Sequence, residues 1–191
     1  YAGQGKHHEA LKQLAHDVYF SSLEVGPEHI DTAAGYFHMA NIFRSQNRVE
    51  NGLAFYDKVV DIWYKFLANV RSNTQDIDVL GEAQISEAMD MLKTVWQIRE
   101  KFLGAEHIAT GESRFTLGLL YLFVGETQAA LGHISASKAI YTQHLGEEHP
   151  STQDVASVLS QLSEMDSSIS QTPNTGGGRS SSEIGSVPGT R

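Results

Sequence analysis

The sequence predicts an all-α chain of stacked antiparallel helix pairs followed by a tail with no core of its own. Three observations carry this expectation. Apolar residues return three and four positions apart, as in Leu11, Leu14, Val18 and in Val59, Ile62, Trp63, Phe66, the spacing of one helix face. A short marker recurs as "VGPEHIDT", "LGAEHIAT" and "LGEEHPST". From Ser167 the chain reads "SSISQTPNTGGGRSSSEIGSVPGTR", with no aromatic residue, and such a segment buries too little area to offset its chain entropy. Residues 1–166 are expected to form the folded unit and 167–191 a disordered tail.

The markers set the phase of the elements. Their glycines are Gly26, Gly104 and Gly146; the last two lie 42 residues apart and the first two 78. The longer interval leaves room for a degenerate unit near "LANVRSNTQD", with Ala68 in the glycine's place. A small residue stands fourteen positions beyond each marker glycine, namely Ala40, Gly118 and Ser160. Self-similarity at such a period signals a solenoid of repeated supersecondary units. In order, the expected elements are a truncated unit to residue 24, units over 29–67, 70–103 and 107–145, and a final helix over 151–165, about 3.5 repeats plus that helix. Pro150 suits the start of the last helix, with Ser151 or Thr152 as its cap. Gly118 is the most telling residue, because glycine inside a helix costs about 1 kcal/mol relative to Ala. Its missing side chain is expected to let the paired helix approach, and Gly125 suits the left-handed turn between the two.

The stretch "SRFTLGLLYLFVGETQAALGHI" resembles a tetratricopeptide repeat in Leu117, Gly118, Tyr121, Gly125, Ala130 and Ile134. Tyr1, Gly5, Ala10 and Leu14 fit the second half of an earlier unit, and Tyr36, Met39, Ala40, Phe43, Gly52 and Tyr56 fit another. The "LGxEHP" marker and a unit of 42 residues, against the usual length of about 34, resemble the kinesin-light-chain variety. Residues 15–67 are also similar to the repeat region of the MYND-type zinc-finger proteins of motile cilia and flagella, most in "DVYF" and "GYFHMANIF". "GEAQISEAMDMLKTVWQIREKF" continues that similarity more weakly. This resemblance implies an axonemal adaptor whose partners are a second tetratricopeptide protein and a single-headed inner-arm dynein. It implies no metal, because the zinc finger needs Cys and the chain has none.

Composition narrows the function classes further. Fourteen basic against 23 acidic residues give a formal charge of −9, which disfavours nucleic acid and anionic membranes as partners. No apolar run reaches the roughly 18 residues of a membrane span. The opening "YAGQGKHHEALKQL" has neither Met nor a signal-peptide core and reads as cut from a longer chain. "HHEALKQLAH", with His7, His8 and His16, lacks the HExxH order of a zinc site. His29, His107 and His149 share one repeat offset and are expected to be turn and cap residues. Acidic pairs such as Asp76 with Asp78 and Glu147 with Glu148 fall in loops or first turns, and Trp63 and Trp96 in apolar stripes that read as core. With no P-loop, GxSxG or GxGxxG, the expectation is a non-enzyme without cofactor or metal.

Function is then expected on the face presented by the first helix of each pair. By the repeat phase, Phe37, Asn41 and Arg44 occupy it in one unit, and Phe115, Leu119 and Leu122 in another. Asn41 and Arg44 suit a peptide backbone and an acidic side chain. The carboxylate clamp of chaperone-binding relatives wants several bases here, and the chain departs from it at Glu112 and Asp154. The expected function is a protein-binding adaptor in the ciliary or flagellar axoneme. The alternative is a cytoplasmic, kinesin-light-chain-like cargo or peptide adaptor.

Overall fold

The helix starts are cut by histidine. Before α2 (Ile30–Ser45) and α5 (Ile108–Phe123), the Nδ1 atoms of His29 and His107 accept the backbone N–H groups of Asp31 and Ala109 at 3.3 and 3.1 Å. His149 does the same for Ser151 at 3.2 Å before α7 (Pro150–Ile169). Each ring satisfies a donor that a helix N-terminus leaves free. The cap expected from Ser151 or Thr152 is thus supplied by His149, while Thr152 points inward and is 2% exposed. Ahead of these caps, Gly26, Gly104 and Gly146 have φ of 102°, 102° and 87°, where a side chain would be strained.

The computed structural model describes residues 2–72 and 80–169. Among them are seven helices and no strand. α1 is Ala2–Glu24, α3 Val49–Ser72, α4 Glu82–Leu103 and α6 Thr127–Leu145. α2 with α3, and α5 with α6, form tightly packed antiparallel hairpins; α1 packs on α2, α4 on α5, and α6 on α7. Over 70–103, where a full hairpin is expected, the described residues hold the single helix α4 beyond the end of α3. It packs mainly on α5, which also lies along α3, and only marginally on α3 itself. The final helix runs to Ile169, past the expected residue 165. The tail is expected from 167; residues 167–169 belong to α7, and 170–191 lie outside the described residues, as do Asp76 and Asp78.

Gly118 stands where α5 and α6 cross. A Cβ added to it would lie 2.5 Å from Cγ1 of Ile134, a fully buried residue, so the missing side chain is what permits the approach. In the α2/α3 hairpin the glycine is on the other helix: a Cβ on Gly52 would lie 3.0 Å from the carbonyl oxygen of Ala40. Around these crossings a continuous core runs through Val59, Trp63, Leu92, Val95, Leu117 and Val155. Trp96 is half-buried instead, with the Arg114 guanidinium 4.8 Å from its ring centroid.

One charged residue lies within this core. Arg99, on the apolar stripe of α4 with Leu92 and Val95, is 1% exposed. It donates to the Asp57 carboxylate of α3, and to the Ala109 carbonyl and Ser113 hydroxyl of α5 at 2.7 and 2.8 Å. A buried guanidinium is tolerated only when paired and hydrogen-bonded. These bonds fix α3, α4 and α5 to one another.

Candidate functional site

The stacking of α3, α5, α6 and α7 leaves a cavity of about 240 Å³. α3 contributes Asp57, Val60, Asp61 and Tyr64; α5 contributes Glu112, Phe115 and Thr116; Tyr141 comes from α6, and Ser151 and Asp154 from α7. The residues 57, 61, 64 and 112, 115, 116 recur at helical spacing, so each helix turns one face toward the opening. Three aromatic rings and four carboxylates share the lining.

The carboxylates are unequally neutralised. Asp57 is engaged by Arg99. Asp154 accepts from Arg71 at 2.7 Å and from the Tyr64 hydroxyl at 3.2 Å. Asp61 lies 3.0 Å from Lys65, which also reaches Glu28 at 2.8 Å. Glu112 is different: its nearest cation is Arg99, at 3.8 Å and so beyond hydrogen bonding. Its side chain retains half its exposure, yet protein atoms crowd the carboxyl. Burial therefore pushes its pKa up, partly offset by Arg99 and reinforced by Asp57 and Asp61. Tyr64 is pushed up by burial and by Asp154, and Tyr141 strongly up by burial and by Glu112. Both phenols keep their protons at neutral pH.

The six residues expected on one face are distributed over separate places. Phe37 lines an open groove between α2 and α4, with His38, Ser86, Glu87, Asp90 and Met91. The Asn41 side-chain oxygen accepts from the Tyr56 hydroxyl at 2.6 Å, which ties it to α3. Arg44 is exposed near the end of α2, beside Tyr56. Phe115 is 3% exposed and forms cavity wall rather than free surface. Leu119, 4% exposed, and Leu122 line a third recess of about 170 Å³ with Leu67, Val70, Arg71 and Phe123. Phe115 and Leu119 are covered because α5 is flanked by α3, α4 and α6 at once. The departures from the chaperone clamp, Glu112 and Asp154, both line the cavity. Sequence reading missed Arg99, whose signal was a base at an apolar-stripe position, and Tyr64 and Tyr141, which carry no local signal.

Stacked antiparallel helix pairs with a glycine at each of the two hairpin crossings, glycine-led turns and a side-chain-lined recess between neighbouring helices define a tetratricopeptide-type helical solenoid. No protein-family model matches the chain. Among curated proteins it is similar to the clustered mitochondria protein homolog of Xenopus tropicalis, at 24% identity over 177 residues, 89% of this chain. The chain spans 14% of that protein's length. Among solved structures it is similar to a Podosopora anserina putative kinesin light chain with nearly identical TPR-like repeats, at 22% identity and a TM-score of 0.34, covering 90% of this chain and 92% of that one. It is also similar to BtubC (BKLC) from P. vanneervenii, at 13% identity and a TM-score of 0.37, covering 97% and 83%. No described helix is long and apolar enough to cross a membrane.

Proposed function

We propose that this chain is a non-catalytic protein-interaction adaptor that holds a partner polypeptide in the recesses between its helices. The observation that carries this is the cavity between α3, α5, α6 and α7, together with the separate apolar recess at Leu119 and Leu122. Both are built from side chains on rigid helices, and the Arg99 bonds fix α3, α4 and α5. Phe37, Arg44 and Leu122 offer accessible contacts, and Phe115 and Leu119 the walls behind them.

Two cellular settings fit an adaptor. The axonemal one, with a second tetratricopeptide protein and an inner-arm dynein as partners, rests on the resemblance of "DVYF" and "GYFHMANIF". The cytoplasmic one, a cargo or organelle adaptor, is favoured by the similarity to a protein named for clustered mitochondria across nearly the whole of this chain. Expression of the tagged chain in ciliated cells separates them. Enrichment along axonemes, with dynein co-purifying, supports the first. A cytoplasmic or mitochondrial pattern with axonemes unlabelled removes it and supports the second. An adaptor of either kind captures a partner reproducibly at stoichiometric level, and failure from both extracts would overturn the adaptor reading itself.

A further inference from the structure

We infer that the cavity between α3, α5, α6 and α7 takes a single arginine side chain of the partner polypeptide, the guanidinium lying among Asp61, Glu112 and the aromatic walls. This deepens the adaptor reading and rests on it.

Size comes first. About 240 Å³ is below the roughly 300–1,000 Å³ of pockets that enclose a whole small ligand, and it suits one long side chain inserted from a bound segment. Charge comes next. Asp57 and Asp154 are engaged by Arg99 and Arg71, and Asp61 by a Lys65 that it shares with Glu28. Glu112 has a cation nearby but accepts no hydrogen bond at its carboxyl among the described residues. An arriving cation would relieve the crowding of negative charge that Asp57 and Asp61 impose on it.

Tyr141 adds a neutral polar group to the lining. The residue is 6% exposed and lines the cavity. On the same helix the Ser137 hydroxyl lies beside its phenol as a donor. The raised pKa of that phenol keeps it neutral there.

The lining selects among cations. No described group of three His, Asp or Glu residues could hold a metal ion. Tyr64, Phe115 and Tyr141 present ring surface beside the carboxylates, an arrangement that suits a planar guanidinium, which stacks on rings and donates in several directions. An ammonium is more strongly hydrated and places its donors around a point. A basic partner also suits the chain's net charge of −9.

The test uses the 191-residue chain and a blocked Gly-Arg-Gly peptide, with its citrulline counterpart as the neutral isostere. Amide NMR should show saturable shifts at residues 57–64, 112–116 and 151–154 with the arginine peptide, and none with citrulline. Glu112→Gln, at a half-exposed position, should keep a native spectrum and weaken binding about tenfold, as for one lost charge-assisted bond. Asp61→Asn should weaken it less, and binding should fade at about 1 M salt. Absence of saturable shifts up to about 10 mM peptide, a floor beneath which affinity is negligible, would overturn the inference, as would equal shifts with citrulline. If a natural partner is captured while the cavity is silent to the arginine peptide, the adaptor reading survives and this inference fails. If the peptide binds but no protein is captured, the cavity's selection of a guanidinium stands, while the adaptor reading fails and with it the assignment of that guanidinium to a partner polypeptide.

Discussion

The α2/α3 and α5/α6 hairpins are the same design laid down 78 residues apart, and they end in different environments. His29 and His107 cap them, Thr32 and Thr110 are buried just inside, and Asn47 and Gly125 make the turns with φ of 59° and 83°. Yet α2 buries only Thr32, Ala33 and Ala40, whereas α5 buries nine residues between Thr110 and Leu120. The difference lies in the neighbours. α2 packs on α1 and α3, while α5 is enclosed by α3, α4 and α6. Local sequence therefore builds the hairpin, and position in the stack decides how much of it is core.

The largest effect should come from overpacking the two crossings. Gly118→Leu is expected to cost about 3 kcal/mol, the upper end of the range for overpacked cores, because Ile134 is fully buried and α5 is held on three sides. Gly52→Leu meets the Ala40 carbonyl, but α2 has a freer outer side, so the expected cost is nearer 1–2 kcal/mol. Urea denaturation of both variants measures the gap. Equal costs, or the reverse order, would break the claim that stacking position separates the hairpins.

Next in size is the bond that joins them. Asp57→Ala should cost about 2 kcal/mol, since it strips the countercharge from a buried guanidinium, with the value held down by the exposure of the aspartate. Arg99→Met should cost less, because Asp57 is then simply hydrated and an apolar chain fills a buried space. Chemical denaturation of the two single variants decides the asymmetry; a greater loss from Arg99→Met would mean that its bonds to Ala109 and Ser113 dominate.

A smaller effect is expected at the turns. Gly125→Asn should change stability by less than about 1 kcal/mol, since Asn47 already holds a left-handed conformation at the matching place and Asn tolerates it. Gly125→Val should cost clearly more. Thermal melts of the pair would show whether the two turns are interchangeable.

The smallest is a pH dependence confined to the second hairpin. His133 stacks on Tyr121, 5.5 Å between centroids, and its pKa is lowered by burial, with Arg114 and Lys93 adding to the effect. The unfolded chain then binds a proton that the folded one resists. That contribution to stability is present above the ordinary histidine range near 6.5 and is lost as pH falls through and below it. His133→Phe should keep the stacking and flatten the change in melting temperature between pH 7 and 5, read against wild type. An unchanged slope would assign the dependence to other groups.

Much of the fold was legible in the sequence, for reasons these residues make plain. The marker glycines, the histidines ahead of α2, α5 and α7 and the glycine inside α5 act through backbone φ, a local cap and one close approach, all of which leave a periodic trace. Less was legible at the middle unit, where the described residues hold α4 alone in place of a hairpin, because its marker is degenerate and apolar periodicity does not say which neighbour a helix will choose. The candidate surface was legible least. Repeat phase puts Phe37, Phe115 and Leu122 on one face, and the structure sets them in three separate recesses.

What the sequence by itself determined was the repeated unit: its histidine caps, its glycine turns and the close crossing at Gly118, all governed by interactions within about forty residues of chain. The tertiary structure alone decided that Asp57, Asp61, Glu112 and Asp154, spread over three helices, would line one cavity. It also decided that Arg99 would be buried to balance part of their charge. The physical reason is range. Backbone conformation and helix pairing are set by neighbours in sequence, whereas the field inside a cavity sums charges brought together only when separate units stack.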